Sequence, residues 1–192
     1  MDPRGVACPE KRAAQLGAVI LFLDETGLRL IPHVAKTWAP KGKENTPVFR
    51  HHGHWTKINL AAAITTDGRL FFQTRIKDYD GPGVVEFLKQ LLRAIKQRIM
   101  IVWDNAGIHK AGPVKQFLRE NEDCIEAHHI PPYAYELMPV EGFNAQLKVH
   151  SLKNAAYRNT KDLHDRVRRK ARSIQRRRSL CQSFWGQTPL TV

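Results

Sequence analysis

The stretch IMIVWDNAGIH, residues 99–109, begins as an unbroken apolar run and continues into a polar loop. Continuous apolar runs of this length are typical of strands that are buried on both faces of a sheet. Asp104 stands where the chain leaves this strand. A second apolar run, AVILFL at residues 18–23, also ends on an acid, Asp24. We therefore expect two central strands, each with a carboxylate at its end.

A third acid, Glu141, lies just inside a predicted helix that begins near Pro139. Carboxylates that converge from two strand ends and a helix form a hard oxygen cage, which suits Mg²⁺. A pair of such ions can activate an attacking oxygen and stabilise a leaving oxygen at phosphorus. Each acid taken alone has an alternative role as a turn or cap residue. Taken together, the three predict metal ligands for phosphodiester chemistry.

Other polar residues next to these acids are candidates for the same site. Glu25 follows Asp24 directly, and because neighbours on a strand point to opposite faces, only one of them can face the site; we assign Asp24. Asn105 and His109 shape the loop behind Asp104, either as partners that orient a metal ligand or in a purely structural role.

The first half of the chain predicts an antiparallel meander. Gly27 marks one turn, and Asp67-Gly68 is a strong signal for a tight two-residue hairpin. Residues 32–54 predict a long basic loop, and loops of that length are usually functional. The predicted strands of this half are 18–23, which returns as its own hairpin partner at 28–31, then 58–65 and 70–74.

In the second half, strands and helices alternate, which implies parallel pairing through right-handed crossovers. The predicted fold class is α/β, with a five-stranded mixed sheet (an antiparallel meander plus a parallel half) flanked by helices. Residues 1–16 show no clear period and predict a tail or a linker. The strands of this half are 99–103 and 125–130, and the helices begin near Gly81, Pro113, 139 and 160, with the last two ending at 151 and 178.

The charge of the chain is strongly positive and unevenly placed. The net charge is +13, and the residues from Phe143 onward carry 12 Lys and Arg against two acids. This asymmetry indicates a surface that binds a polyanion, most often nucleic acid. The alternative is a basic helix face that merely contacts solvent.

Composition argues against secretion and against a membrane location. The three cysteines are too few and too widely spaced for a disulfide framework, and the first residues lack the apolar segment of a secretory signal. No apolar run approaches the roughly 20 residues that span a bilayer. We expect a protein of the reducing cytoplasm.

Four motifs in order resemble the catalytic domain of DDE-type transposases, in particular the mariner-like bacterial insertion sequences. They are LDETG at 23–27, TWAPKG at 37–42, DNAGIH at 104–109 and the segment from PPYA at 131–134 to PVE at 139–141. The resemblance covers residues 17–185 and implies a ribonuclease H-like catalytic domain that includes the basic helix 160–178. It maps the metal-binding triad onto Asp24, Asp104 and Glu141, with 36 residues between the last two.

The resemblance also implies a function and partners. A transposase catalytic domain uses two Mg²⁺ or Mn²⁺ ions to cleave double-stranded DNA at the ends of a mobile element and to join them to target DNA. It implies a homodimer in a synaptic complex, in the bacterial cytoplasm near the nucleoid. Such transposases carry helix-turn-helix modules before this domain, so a separate chain is expected to supply them. The alternatives are an inactive nucleic-acid-binding remnant and a plain ribonuclease H-like nuclease.

Basic residues outside the triad are candidates for contacts with DNA phosphates. Trp38 and Trp55 flank the long loop and either stack on bases or pack in the core. The basic candidates are Lys41, Lys43, Lys148, Lys153, Arg168, Arg169, Lys170, Arg172, Arg176, Arg177 and Arg178.

Overall fold

A five-stranded sheet forms the centre of the protein. The computed structural model describes residues 9–31, 36, 38, 41, 56–131 and 138–187. The strand order across the sheet is β3-β2-β1-β4-β5. The strands are β1 (Val19–Arg29), β2 (Lys57–Thr65), β3 (Leu70–Arg75), β4 (Ile99–Trp103) and β5 (Ile125–His129).

The two halves of the sheet pair differently, as the sequence predicts. β2 lies antiparallel to both β1 and β3, whereas β4 lies parallel to both β1 and β5. The tight turn between β2 and β3 contains Gly68 at a φ of 80°, and the Gly68 amide donates to the carbonyl of Thr65 at 2.9 Å. A side chain is strained at that φ, so the glycine is required there. The mixed five-stranded sheet is confirmed.

Helices cover both faces of the sheet. Asp80 caps α2, accepting a hydrogen bond from the amide of Gly83 at 2.8 Å, and Pro82 occupies the first turn. α4 continues directly into a π-helix over Gln146–Ser151. The helices are α1 (Pro9–Leu16), α2 (Gly81–Ala94), α3 (Gly112–Glu120), α4 (Pro139–Ala145), α5 (Thr160–Gln175) and α6 (Arg178–Ser183), with 3₁₀ turns at Gly107–Lys110 and Trp185–Gln187.

Alternation along the strands divides the core into two layers. Leu23 and Trp103 pack on the face that α2 and α3 cover. Phe22 and Val102, one position earlier on the same strands, pack on the opposite face, which α4, α5 and α6 cover. Asp24 therefore shares the face of Phe22, and Glu25 shares the face of Leu23.

β1 differs from the sequence prediction. The turn predicted at Gly27 and the separate strand at 28–31 are wrong, because β1 runs without interruption through Asp24 and Gly27, and Gly27 pairs with Asn59. The antiparallel ladder with β2 supplies hydrogen bonds along this whole length. On the other side, the pairing with β4 ends at Phe22. Asp24 thus lies where the parallel half of the sheet ends, although its own strand continues.

The two ends of the described chain also differ from expectation. Residues 9–16, predicted as part of a tail, form α1, and its Ala13 is buried. The helix predicted over 160–178 ends at Gln175, and a second short helix, α6, begins at Arg178. The break lets Arg178 donate to the backbone carbonyl of Asp67 in the β2–β3 turn at 2.8 Å. No helix among the described residues is long and apolar enough to cross a membrane.

Candidate active site at the end of the parallel strands

Register places Asp24 and Asp104 side by side. Phe22 of β1 pairs with Val102 of β4, and each acid follows its paired residue by two positions. Both acids therefore point to the same face of the sheet from neighbouring parallel strands, where the carboxyl ends of such strands gather ligands. The Asp104 side chain is 50% exposed, and Asp24 is half-buried.

α4 brings Glu141 to the same face. Pro139 opens the helix, and the amide of Glu141 donates to the carbonyl of Met138 at 3.0 Å, so the acid lies in the first turn. Asn144, three residues later, lies on the same side of the helix. Its Nδ2 donates to Oδ2 of Asp24 at 3.0 Å. This hydrogen bond ties the helix that carries Glu141 to the strand that carries Asp24.

The acids interact strongly even though they do not form a closed cage. Burial is the largest cause that raises the pKa of Asp24, and together with the nearby charges of Glu141, Glu25 and Asp104 it brings the pKa to about 7. Within the described ranges, no three carboxylate, histidine or cysteine side chains are close enough together to enclose an ion. Asp24 thus lies within electrostatic reach of the other two predicted ligands, and the three do not form a preassembled metal site.

The donors nevertheless fit a divalent cation. Like charges crowd around a partly buried carboxylate, and a cation would relieve the repulsion that raises the pKa of Asp24. Asn144 is 2% exposed, and its Oδ1 is a buried acceptor with no hydrogen-bond partner. A buried oxygen without a donor, next to ionisable acids, is an environment that a cation or its water would satisfy.

Two further side chains join this face and were not assigned to the site from the sequence. Thr26 follows Asp24 by two positions on β1, and Lys148 donates from the π-helix to the Thr26 hydroxyl. Asn144 was also missed. The available signal was spacing, because Asn144 and Lys148 follow Glu141 by three and seven residues and such positions share a helix face. The sequence predicts Lys148 as a DNA contact but does not place it in the site.

Glu25 and His109 form a second polar group on the opposite face. The His109 side chain is 1% exposed; its Nε2 lies 3.1 Å from Oε2 of Glu25, and its Nδ1 lies 2.9 Å from Oδ1 of Asp104. Burial alone would lower the pKa of His109, but the hydrogen bond and charge of Glu25, together with Asp104, raise it above its usual value. His109 therefore contacts a predicted metal ligand directly.

Asn105 holds the same loop in a different way. Its Nδ2 donates to the backbone carbonyl of Ile130 at 2.8 Å, which links the loop after β4 to the segment after β5. Nδ1 of His129 also lies 2.8 Å from the backbone carbonyl of Asp104. These contacts fix the backbone of Asp104, whereas His109 also contacts the carboxylate itself.

The predicted DNA contacts are distributed over several surfaces. One side of α5 packs on the sheet through Leu163, Val167, Ala171 and Ile174. The other side presents the α5 basic face, defined as Arg168, Arg169, Arg172 and Arg176, which together with Asp165 line a surface depression of about 310 Å³. A neighbouring groove of about 490 Å³ runs between α5 and the edge of β3, where Nε2 of His164 lies 2.9 Å from the Thr74 hydroxyl.

The remaining basic candidates lie elsewhere. Arg178 donates hydrogen bonds to both the backbone carbonyl and the side-chain carboxylate of Asp67 in the β2–β3 turn. Lys153 and Arg177 are exposed, and Lys170 is half-buried. Trp38 is fully exposed and therefore does not pack in the core, and Lys41 is exposed too. Lys43 and Trp55 lie outside the described residues.

Comparison with known proteins identifies both a family and a fold. Residues 19–164 match the family described as DDE superfamily endonuclease. A search of proteins with curated function finds no match. The fold resembles that of one chain in the Mos1 strand transfer complex, with a TM-score of 0.60 and 18% identity over 95% of this chain and 58% of that chain.

Two further structures support the same fold. The catalytic domain of Mos1 mariner transposase matches with a TM-score of 0.55 and 16% identity, over 92% of this chain and 86% of that chain. A chain of the simian T-cell lymphotropic virus intasome, in complex with a PP2A regulatory subunit, matches with a TM-score of 0.52 and 14% identity. This match covers 77% of this chain and 46% of that chain. The ribonuclease H-like fold is thereby confirmed. This chain spans about three fifths of the Mos1 chains in their DNA complexes.

Proposed function

Because this chain belongs to the DDE superfamily endonuclease family, we propose that it cleaves DNA at the ends of a mobile element and joins the exposed 3′-hydroxyl to target DNA. The observation that best supports this is the placement of three acids: Asp24 and Asp104 follow paired residues of β1 and β4, and Asn144 ties the helix of Glu141 to Asp24. Acids from β1, β4 and α4 are thus within electrostatic reach on one sheet face. Such an arrangement suits metal-assisted phosphodiester chemistry.

The ligands of the proposed site are Asp24, Asp104 and Glu141, which would hold two Mg²⁺ or Mn²⁺ ions. When bound, these ions would neutralise charge on the scissile phosphate and act as Lewis acids toward it. Oxygen donors of this kind are the ones that both cations prefer. Use of Mn²⁺ and Mg²⁺ is also consistent with the Mos1 paired-end complexes, which were solved with either metal.

Other side chains of the site act on the ligands and on the substrate. Asn144 orients the Asp24 carboxylate by donating to Oδ2, so that the carboxylate keeps one position when it is ionised. The ammonium group of Lys148 donates to the hydroxyl of Thr26, which follows Asp24 by two positions on β1. We assign Lys148 to a phosphate of the cleaved strand, since its charge complements that group.

The α5 basic face holds the duplex by its phosphates. α4 and α5 cover the same face of the sheet, so the basic residues of α5 and the acids of the site open on one side of the molecule. Thr26 pairs with Leu60 on β2, and Leu60 pairs with Thr74 on β3. Thr74 therefore lies two strands away from Thr26, at a distance of about 10 Å. DNA lying along this face would contact both the site and α5. Exposed Lys153 and Arg177 extend the positive surface.

The partners follow from this chemistry. We propose double-stranded DNA as substrate and target, a homodimer that brings two ends together, and a separate chain with helix-turn-helix modules that recognises the ends. Mos1, to which the fold is similar, forms paired-end complexes with transposon ends. The protein would then act in the bacterial cytoplasm, on the DNA of the nucleoid.

A nicking and strand-joining assay tests the proposal. Labelled duplexes that carry an element end are incubated with Mn²⁺ and with the parent chain or Asp104→Asn, and the products are separated on denaturing gels. We expect nicked and joined products from the parent and none from the variant, whereas Asp123→Asn, a change at an exposed acid, should act like the parent. Nicking without joining would instead indicate a plain nuclease. DNA binding without nicking would indicate an inactive remnant.

A further inference from the structure

One buried imidazole links Glu25, on one face of the sheet, to Asp104 at the strand end. Nε2 of His109 lies 3.1 Å from Oε2 of Glu25, and Nδ1 lies 2.9 Å from Oδ1 of Asp104. Nδ1 also lies 3.2 Å from the backbone carbonyl of Asp104. All three partners are oxygen atoms, so each ring nitrogen of His109 lies within hydrogen-bond distance of at least one of them.

The imidazole has almost no freedom to move. His109 stacks on the indole of Trp103, with ring centroids 4.3 Å apart and ring planes within 4°. Trp103 is itself fully buried between α2 and α3. Glu25 lies on β1, which pairs with β2 continuously from Leu21 to Arg29. The linkage therefore connects Asp104, in a loop, to a paired strand of the central sheet.

The contact selects one oxygen of the Asp104 carboxylate. Oδ1 lies beside His109 and also accepts from the amide of Ala106 at 2.9 Å. In the described part of the chain, no residue donates a hydrogen bond to Oδ2. Since Oδ1 accepts from the Ala106 amide and lies 2.9 Å from Nδ1 of His109, Oδ2 is the oxygen that is free to bind a cation.

We propose that Glu25 and His109 are positioning residues, which form a strut that fixes Asp104 with Oδ2 available to the metal. The inference rests on the proposed function, because it assigns a purpose to Asp104. It explains why two acids stand in sequence at 24 and 25: one faces the metal, and the other faces the strut. Partners that orient a metal ligand in this way typically contribute 10- to 100-fold to metal affinity, as an order of magnitude.

The experiment measures Mn²⁺ binding directly, by electron paramagnetic resonance titration of the full chain without DNA. His109→Phe keeps a flat ring against Trp103 and removes both ring nitrogens, and Glu25→Gln keeps the shape of the acid and removes its charge. We expect each change to raise the Kd for Mn²⁺ about 10-fold or more. The double variant should bind about as weakly as either single variant, because both changes act through Asp104.

Two controls separate positioning from general stability. His128 and Glu126 form a comparable pair, at 3.0 Å, on β5. The changes His128→Phe and Glu126→Gln should lower the melting temperature at most and leave the Kd for Mn²⁺ within about twofold. In the Asp104→Asn background, His109→Phe should cause no further loss of Mn²⁺ affinity.

The outcomes are distinguishable. A parent that binds no Mn²⁺ would overturn the proposed metal site together with the strut. If the parent binds Mn²⁺ and both strut variants, folded by circular dichroism, bind it equally well, only the strut is overturned. If His109→Phe weakened Mn²⁺ binding in the Asp104→Asn background as much as it does in the parent, the strut would also be overturned. Should His109→Phe fail to fold, Glu25→Gln decides the question by the same criterion.

Discussion

Gly142 of α4 and Phe184, just after α6, pack so closely that a methyl group on Gly142 would lie 2.9 Å from Cδ1 and 3.0 Å from Cβ of Phe184. Phe184 is 2% exposed, and the next residue, Trp185, packs edge-on against Phe22 at 5.0 Å. The family match ends at residue 164, yet the chain beyond it supports the helix that carries Glu141. The position of Glu141 therefore depends on the C-terminal segment.

The first prediction concerns Gly142→Ala. Although alanine favours a helix interior by about 1 kcal/mol, the added methyl must displace a buried ring, and overpacking costs roughly 1–3 kcal/mol. We expect a net loss of about 1 kcal/mol in unfolding free energy, measured by urea titration, and slower nicking because α4 shifts. Phe184→Leu in the Gly142→Ala background should recover part of both. Gly112→Ala, where nothing lies within 4 Å, is the matched control; a fully active and more stable Gly142→Ala would refute this account.

The second prediction concerns Asn144→Ala. The change removes the donor to Oδ2 of Asp24 and leaves the carboxylate without its orienting partner. We expect the nicking rate to fall about 10- to 100-fold and the Mn²⁺ concentration for half-maximal rate to rise. Asn159→Ala removes a helix cap at α5 and should lower stability by about 1 kcal/mol without changing the metal dependence. Equal metal dependence in the two variants would contradict the role of Asn144.

The third prediction concerns the pH dependence of the metal-free protein. The pKa of Asp24 is raised from 3.8 to about 7, so the folded state binds the proton more tightly than the unfolded state. Ionisation of Asp24 therefore removes folding stability as pH rises from about 4 to about 7, and the loss persists above that range. Glu141, Glu25 and Asp104 are the charged groups that contribute to this shift.

Asp24→Asn should accordingly stabilise the metal-free protein at pH 8, by an amount on the order of 2–4 kcal/mol, and the gain should vanish near pH 4. Urea titrations at several pH values measure it, with Asp123→Asn as the control at an exposed acid. Mn²⁺ at pH 8 should stabilise the parent and not Asp24→Asn, because binding to the folded state alone adds stability. A gain that is constant with pH would show that ionisation of Asp24 is not its cause.

The fourth prediction concerns the α5 basic face. Replacing Arg168 and Arg172 with Ala should weaken DNA binding equally for all sequences and reduce the slope of log K against log salt concentration by about 2, roughly one per lost phosphate contact. The fold should survive, because the packed residues of α5 lie on its other side. Fluorescence anisotropy at several salt concentrations measures the slope. Lys115→Ala with Arg119→Ala, two exposed cations on α3, should leave the slope unchanged, and an equal effect there would show that charge alone, not this face, decides binding.

Local signals predicted much of the fold correctly. The Asp67-Gly68 turn and the start of α2 at Asp80 depend on backbone preferences of a few adjacent residues, and both are where the sequence places them. The turn predicted at Gly27 is wrong, because a glycine that permits a turn does not require one. The ladder with β2 decided in favour of a continuous strand. The predicted end of this helix at residue 178 is wrong for a similar reason, since Arg178 contacts a turn 111 residues away.

The sequence by itself determined the alternation of strands and helices, the three candidate acids and the basic character of α5, because periodicity and charge are properties of neighbouring residues. Only the tertiary structure decided that Asn144 contacts Asp24 across 120 positions and that His109 joins Glu25 to Asp104 across 84. It also placed Phe184 against Gly142. Such contacts follow from the register of strands and the packing of helices on a shared face, and these are settled by the burial of the whole core rather than by any local stretch.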